Sequence, residues 1–541
     1  MTIAARRAAM TAVLLLLLAS RRWDQLLWPQ VWDEDGPRNI HDFVVNGLAS
    51  LFYPVNGYLI TVPKLISALA LSISFSRYPM VSTVFAWAFI AFVGMAVASS
   101  PTKLRGRWWC AVAIFLVPTD PEVFGLPLYT FWWSSLLLFL LALWDEQRSS
   151  IGWRIAFLLL GGLSSPVILL VVPVLYWRAW AYRAWRAEWI IACVATVIAL
   201  IQAGFILKGA ESRLPPLGSI LMNTGPVFLG RFVVGNWVES PIGLALAGLC
   251  VACWLALCAW QLRREAAFWI CVYLFVGAIG LSVIRIDPAV LHPIRGGARY
   301  LFFPFVLISW LLVQGIYAAR FTWVRALAAG IGTVAVMNAF PAWSHSHDDL
   351  HWTEHAVSCR RFATYEMPVQ FVGLRESSWR LPLSGEDCAR LLDRDLLLTR
   401  SELESRPTFP YATYTLSAPN GTEGAALVGG TMAGSDFTRS RIPGFVVVGS
   451  YEASDADVGT VDVRLHRGDS LRYRSGPAGH GQTLTILDHE KEFVRDLPLA
   501  NDWVTLVFSN STLPAEFVVR IADEGRAWGE WSAIAVPQAS R

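Results

Sequence analysis

The chain has 541 residues, 55% of them hydrophobic and only 16% charged, with a net charge of +3 and a mean hydropathy of +0.46. A soluble protein of that length carries more charge, so most of the chain belongs in a bilayer. The near-neutral balance, with no basic stripe interleaved with aromatics, argues against nucleic acid as a partner.

In chain order, apolar runs lie near 8–22, 79–99, 108–118, 128–144, 153–163, 166–177, 188–207, 241–260, 267–284, 300–317 and 323–342. Some are shorter than the roughly 20 residues of a full crossing. The pair 153–163 and 166–177, joined by GGLSSP, reads either as a short hairpin or as one broken helix. About eleven spans place Arg6/Arg7, Lys103/Arg105/Arg107, Arg148/Arg154, Arg178/Arg183/Arg186, Arg263/Arg264 and Arg320/Arg325 on one side, the cytoplasmic one. Arg21/Arg22 is the exception. The N-terminus is then inside, the first run is an anchor, and 31–78, 119–127, 208–240 and 285–299 are external joints. The amphipathic stretch 57–74 reads as a helix lying along the outer surface.

Beyond Trp343 no run reaches spanning length, and from about 405 short alternating strands with frequent turns suggest a β-sandwich of jelly-roll type. The expected architecture is a polytopic helical membrane domain (1–343), a connecting α/β segment (344–404) and an extracytoplasmic mainly-β domain (405–541). Six cysteines lie in apolar runs and read as small buried hydrophobes. Cys359 and Cys388 face an oxidising compartment in this topology and are candidates for a disulfide.

Three external loops carry residues suited to chemistry. In VWDEDGPRN, Asp33, Glu34 and Asp35 precede a proline. One acid could cap a helix starting at Pro37, but three suggest a carboxylate that takes a proton from an acceptor hydroxyl. PTDPEVFGLPLYTFWW supplies Asp120 and Glu122, as a proline-rich turn or as a second acidic pair, with Trp132 and Trp133 as a surface for a sugar ring. RIDPAVLHPIRGGARY brings Arg285, His292, Arg295, Arg299 and Tyr300 to one boundary. These either snorkel to headgroups or clamp a phosphate. Asn56, Tyr58 and Lys64 complete the proposed groove. Carboxylates, tryptophans and arginines at a lipid boundary suit a sugar carried on a polyprenyl phosphate. The carboxylate activates the acceptor, and the arginines stabilise the departing phosphate.

WDEDGP at 32–37 resembles the acidic motif that follows the first span in the GT-C superfamily of integral-membrane glycosyltransferases. More narrowly, EDG at 34–36, NGYLITVPKLIS at 56–67, PEV at 121–123, GLSSPVILLVVP at 162–173 and GGARYLFFP at 296–304 are similar to a group of bacterial membrane proteins related to it. The resemblance covers most of 20–320 and implies a bacterial cytoplasmic-membrane glycosyltransferase. Its donor would be a polyprenyl-phosphate sugar and its acceptor an extracytoplasmic glycan, lipid or surface protein. The catalytic carboxylate would fall on Asp33, Glu34 or Asp35, with Asp35 or Asp33 favoured. Some relatives use a divalent metal; no ligand spacing here forces one, so metal stays open. The alternatives are a flippase or transporter of a lipid-linked saccharide and a non-catalytic membrane-anchored carbohydrate-binding protein. A transporter would place its polar residues near the bilayer midplane; here they cluster in loops.

Overall fold

The computed structural model describes 2–32, 34–147, 150–182, 186–209 and 215–344, and, of the remainder, 352–360, 364–367, 369–370, 381–399, 413–415, 425–432, 444–451, 454, 456–476, 482–487, 492–496, 503–508, 513–526 and 528–537. These residues form two compact units. One gathers 1–27, 46–68 and 82–346; the other gathers 28–45, 69–81 and 347–541. A single cut near 343 therefore does not describe the division, because two N-terminal stretches fold with the C-terminal region.

The first unit is helical. Among the described residues, seven helices are long and apolar enough to cross a membrane: Tyr78–Ser99, Arg186–Lys208, Leu217–Val234, Pro241–Gln261, Ala266–Arg285, Ala298–Ala318 and Thr322–Ala342. Helix Ile3–Arg21 precedes them. Helices Thr61–Ile73, Thr130–Ala142, Ile151–Gly162 and Ile168–Ala181 are shorter, and the expected span at 108–118 is helical only over Arg107–Phe115. The segments 153–163 and 166–177 form a hairpin of two helices. Arg154 near the start of one and Arg178 near the end of the other both bind Glu188, at 2.8 and 3.1 Å, which brings those two ends together.

The basic joints gather at one end of this unit. Arg6 lies over the Trp108 ring, Lys103 pairs with Glu146 at 2.6 Å and bonds Tyr182, and Arg105 pairs with Glu265 at 2.9 Å. Gln261 accepts from the backbone N–H groups of Arg320 and Phe321. Joints near 6, 103–107, 145, 182, 264 and 320 thus share one face, as the charge pattern predicts.

Residues 208–240 differ from the expected connector. Leu217–Val234 is helical, through an α-helix Leu217–Gly225, a π-turn Pro226–Gly230 and a last turn Arg231–Val234. Pro226 lacks an N–H and loosens the helix into the wider turn. Residues near both ends of the segment contact the loop 285–299. Ser219 Oγ donates to Asp287 Oδ1 (2.5 Å), and Glu239, just past the helix, pairs with Arg295 (2.9 Å).

Arg21 and Arg22 are fully buried. Arg21 donates to the carbonyls of Phe115 (3.3 Å), Val117 (3.0 Å) and Thr119 (2.5 Å), between the rings of Phe124 and Trp343. Arg22 donates to Pro121 O and Phe124 O and forms a two-point pair with Asp24 at 3.0 and 3.1 Å. Non-helical backbone survives at membrane depth only where its polar groups are satisfied. These guanidinium groups satisfy the irregular stretch 115–124, which is why they escape the positive-inside rule: they are scaffold, not surface charge.

The second unit contains the segment 28–45. Trp32 bridges Gln370, whose N–H donates to Val31 O (2.6 Å), and a Cβ on Gly36 would meet Val369 and Leu381 at 3.1 and 3.2 Å. Trp352 Nε1 donates to Phe75 O, Ser76 N–H to Asp395, and Arg390 to Val44 O. Strands β1 (Thr364–Met367) and β2 (Leu381–Ser384) pair antiparallel. A disulfide joins Cys359 and Cys388, with Cα atoms 5.9 Å apart. The remaining strands are β3 (Thr413–Thr415), β4 (Ala426–Gly430), β5 (Phe445–Gly449), β6 (Gly459–His466), β7 (Ser470–Ser475), β8 (Gln482–Leu487), β9 (Glu492–Asp496), β10 (Val504–Val507), β11 (Glu516–Asp523) and β12 (Ser532–Pro537). They form two five-stranded antiparallel sheets, β3-β10-β7-β12-β5 and β4-β6-β11-β8-β9. Alternation puts Val461, Val463 and Leu465 of β6 inside with Phe517, Val519 and Ile521 of β11. Phe508 and Phe517 meet between the sheets at 5.6 Å.

Candidate functional site

In the helical unit the site begins at a two-residue turn. Val55 and Tyr58 exchange backbone hydrogen bonds of 2.8 and 3.1 Å, with Asn56 at φ 51° and Gly57 at φ 84°. Asn-Gly is the pair that tolerates two positive φ angles in such a turn. The turn presents the Asn56 carbonyl and the Tyr58 ring. Arg285, at the end of helix Ala266–Arg285, donates Nη2–H to Asn56 O (3.2 Å) and lies over Tyr58 at 5.6 Å.

From Tyr58 the contacts continue to Phe131 (6.0 Å), Trp132 (5.2 Å) and Tyr300 (5.9 Å, edge-on). Arg299 lies 5.8 Å from both Tyr300 and Tyr129 and donates Nη1–H to Tyr129 Oη (2.9 Å). Trp132 also packs on Phe303 at 4.6 Å, and its buried indole N–H has no hydrogen-bond partner among the described residues. The result is one continuous array with a guanidinium near each end and aromatic faces between. Such groups recognise an oxyanion and a sugar ring.

Two of the three loops singled out in the sequence meet. Asp120 N–H donates to Pro293 O (2.6 Å), joining 119–127 to 285–299. The Asp120 carboxylate accepts from Glu122 N–H (2.8 Å) and caps the short helix Pro121–Val123, the structural role of an acid in a proline turn. Glu122 is half-buried. Trp133 is fully buried: its Nε1–H donates to Val123 O (2.7 Å), and its ring packs on Phe115, Phe124 and Phe302. It is core, not a stacking surface. Lys64 is buried on helix Thr61–Ile73.

The basic loop divides. Arg285, Arg299 and Tyr300 join the array; His292 and Arg295 do not make those contacts. Arg295 is exposed and pairs with Glu239. His292 Nδ1 accepts from Ile294 N–H (3.1 Å) and Arg295 N–H (3.3 Å), which assigns the proton to Nε2. Burial, with the charges of Arg231 and Arg295, holds its pKa down to about 4 against the pull of Glu239, so the ring is neutral.

The first acidic loop belongs to the other unit. Asp33 lies outside the described residues. Glu34 is half-buried. Asp35 is 1% exposed, accepts from Asn39 Nδ2 (2.8 Å), and stands before the π-helix Gly36–His41 without capping it through its side chain. The capping explanation therefore does not account for Asp35. Among the described residues, no group of three His, Cys, Asp or Glu side chains is placed to hold a metal ion.

Sequence reasoning did not single out Tyr129, Phe131 or Arg231. The first two sit in the quoted aromatic stretch, where the Arg299–Tyr129 bond spans 170 positions and leaves no local signal.

No family model matches the chain, and no curated protein matches it. Among solved structures, the chain is similar to arabinosyltransferase EmbB of Mycobacterium smegmatis, with 12% identity and a TM-score of 0.26 over 98% of this chain. The match spans 64% of the length of that protein. At that level it carries no argument about activity, and the functional reading rests on the chain's own geometry.

Proposed function

We propose that this chain is a membrane glycosyltransferase of the GT-C type that moves a sugar from a polyprenyl-phosphate donor to an extracytoplasmic glycan, lipid or protein. The supporting observation is the array of Arg285, Tyr58, Phe131, Trp132, Tyr300, Arg299 and Tyr129, built from helix ends and a turn away from the basic joints. Positive-inside charge makes those joints cytoplasmic, in the inner membrane of a bacterium, with the N-terminus inside and the C-terminal unit outside.

In this reading the acceptor oxygen attacks the anomeric carbon while the bond to the lipid phosphate oxygen breaks. The electron pair leaves with the phosphate, and Arg299 and Arg285 neutralise the growing charge. The acceptor's proton goes to a carboxylate of the acidic loop. Asp35 is the choice among the described acids, because it is buried and its carboxylate does not cap the helix that follows.

The test is a transfer assay with purified full-length protein and a panel of polyprenyl-phosphate sugars. Arg299→Ala should lower donor kcat/KM by about 100-fold with little change in acceptor KM. Asp35→Asn should lower kcat by a factor of about 100 or more while leaving donor binding intact. Folded variants with full activity would remove these assignments. Movement of intact lipid-linked sugar across vesicles, without transfer, would favour the flippase.

A further inference from the structure

A crevice of about 450 Å³ runs between helices Arg107–Phe115, Phe302–Ala318 and Thr322–Ala339. Its walls are apolar, including Val112, Leu116, Leu312, Gly332 and Val336. Exposed Trp109 and Tyr317 mark the end nearer the basic joints; Phe232 and Met337 mark the other. A Cβ on Gly332 would meet nothing within 4 Å, so the space beside it is open.

The crevice lies apart from the aromatic array. On helix Phe302–Ala318, Phe303 packs on Trp132 while Phe305 packs on Phe232 at 5.3 Å. Two residues on a helix turn about 200°, so these rings point to opposite sides. Ser309, Leu312 and Ile316 follow Phe305 at helical spacing and line the crevice.

At the Phe232 end lie polar side chains, most of their unmatched atoms donors. Asn338 Nδ2 donates to Arg231 O (3.0 Å) and Phe232 O (3.3 Å), and Asn338 also binds Asn236 through two hydrogen bonds. This ties the Arg231 segment to the residue after Met337. Among the described residues, Arg231 Nε and Nη1 are buried without a hydrogen-bond partner, and so is His292 Nε2. Asn236 Oδ1 is a buried acceptor in the same condition. Orphaned buried donors are costly and rare. Glu239 offsets Arg295, so Arg231 leaves the group with net positive charge. These features call for an anion rich in acceptors, with a hydroxyl for Asn236.

We propose that this crevice and the Arg231–His292 end form a second site, which takes one hydrocarbon chain and the phosphodiester headgroup of an anionic glycerophospholipid. The chain fills the space beside Gly332, and Arg231 and the His292 Nε2–H donate to the phosphate. The lipid is a bound companion of the fold, separate from the sugar donor.

The test uses delipidated full-length protein in dodecyl maltoside with labelled dioleoylphosphatidylglycerol. Arg231→Gln and Gly332→Phe, at opposite parts of the site, should each weaken binding about tenfold or more. Each should elute as folded protein in gel filtration. Arg299→Ala should bind this lipid as wild type does. Dioleoylglycerol, which lacks phosphate, should bind Arg231→Gln and wild type alike. Wild-type binding by both site variants would overturn the proposal. So would an equal loss in Arg299→Ala, or displacement of the phospholipid by an equimolar polyprenyl phosphate. Failure here leaves the transfer assay untouched, because the two rest on different residues.

Discussion

Two residue-level features lead to measurements. Arg22 and Asp24 form a fully buried pair, and the same guanidinium holds two loop carbonyls. Arg22→Ala would strand a buried carboxylate and should cost about 3–5 kcal/mol. Arg22→Ala/Asp24→Ala should recover part of that loss, read as the thermal midpoint of the purified protein. The second feature is Asp523, which takes an inward place after Phe517, Val519 and Ile521. Burial pushes its pKa up to about 6, against hydrogen bonds from Ser450, Gly525 N–H and Gln482. The unfolded value is near 4, so the native state keeps a proton that the unfolded chain releases. The stability this contributes is complete below about pH 4 and is lost as pH rises through about 6. Melting curves of wild type and Asp523→Asn should therefore diverge across that window, with wild type losing more as pH rises. Parallel curves would show that Asp523 has the same pKa in the folded and unfolded chain.

At the scale of elements, the difference between expectation and structure has a local cause. The stretch 215–240 carries Pro215, Pro216, Gly218, Gly225, Pro226, Gly230 and Gly235, which read as loop punctuation. Here several of them serve helix packing instead. A Cβ on Gly230 would lie 2.1 Å from Leu244 O, and one on Gly248 would lie 3.1 Å from Gly225 O. Small residues let the helices touch, a use that sequence spacing alone does not separate from a turn. Gly230→Val should force Leu217–Val234 off Pro241–Gln261 and lower the thermal midpoint, whereas Gly218→Ala, whose Cβ meets nothing, should not. Both π-turns in the described chain also begin at a Gly-Pro step, Gly36-Pro37 and Gly225-Pro226.

At the scale of the molecule, hydropathy and charge were the legible layer. Long apolar runs became helices, and the Lys/Arg joints came together because like positions of successive antiparallel spans share an end. The association of 28–45 with the C-terminal residues was not legible, since it rests on contacts such as Gln370 to Val31 and Arg390 to Val44 that no periodicity encodes. The candidate site was half legible. Arg285, Arg299, Tyr300, Tyr58 and Trp132 were expected and lie in one array, while Trp133 faces the core and Tyr129 was missed. The orientation is checked by single cysteines in spheroplasts: a probe that does not cross membranes should label Val290→Cys in intact cells and Lys103→Cys only after permeabilisation. The reverse pattern would invert the topology.

The two buried arginines also set an order of events during synthesis. Their carbonyl partners lie 94 to 102 residues further along the chain. At about 5–20 residues per second, those partners emerge roughly 5–20 s after the arginines do. Throughout that interval the Arg21 guanidinium has only water or headgroups to bind, and that of Arg22 has only these and Asp24. The first helix should therefore rest high, with its C-terminal end at the water boundary, until the third segment arrives. Nascent chains arrested before Phe124 should leave residue 21 open to a polar probe, and longer ones should close it.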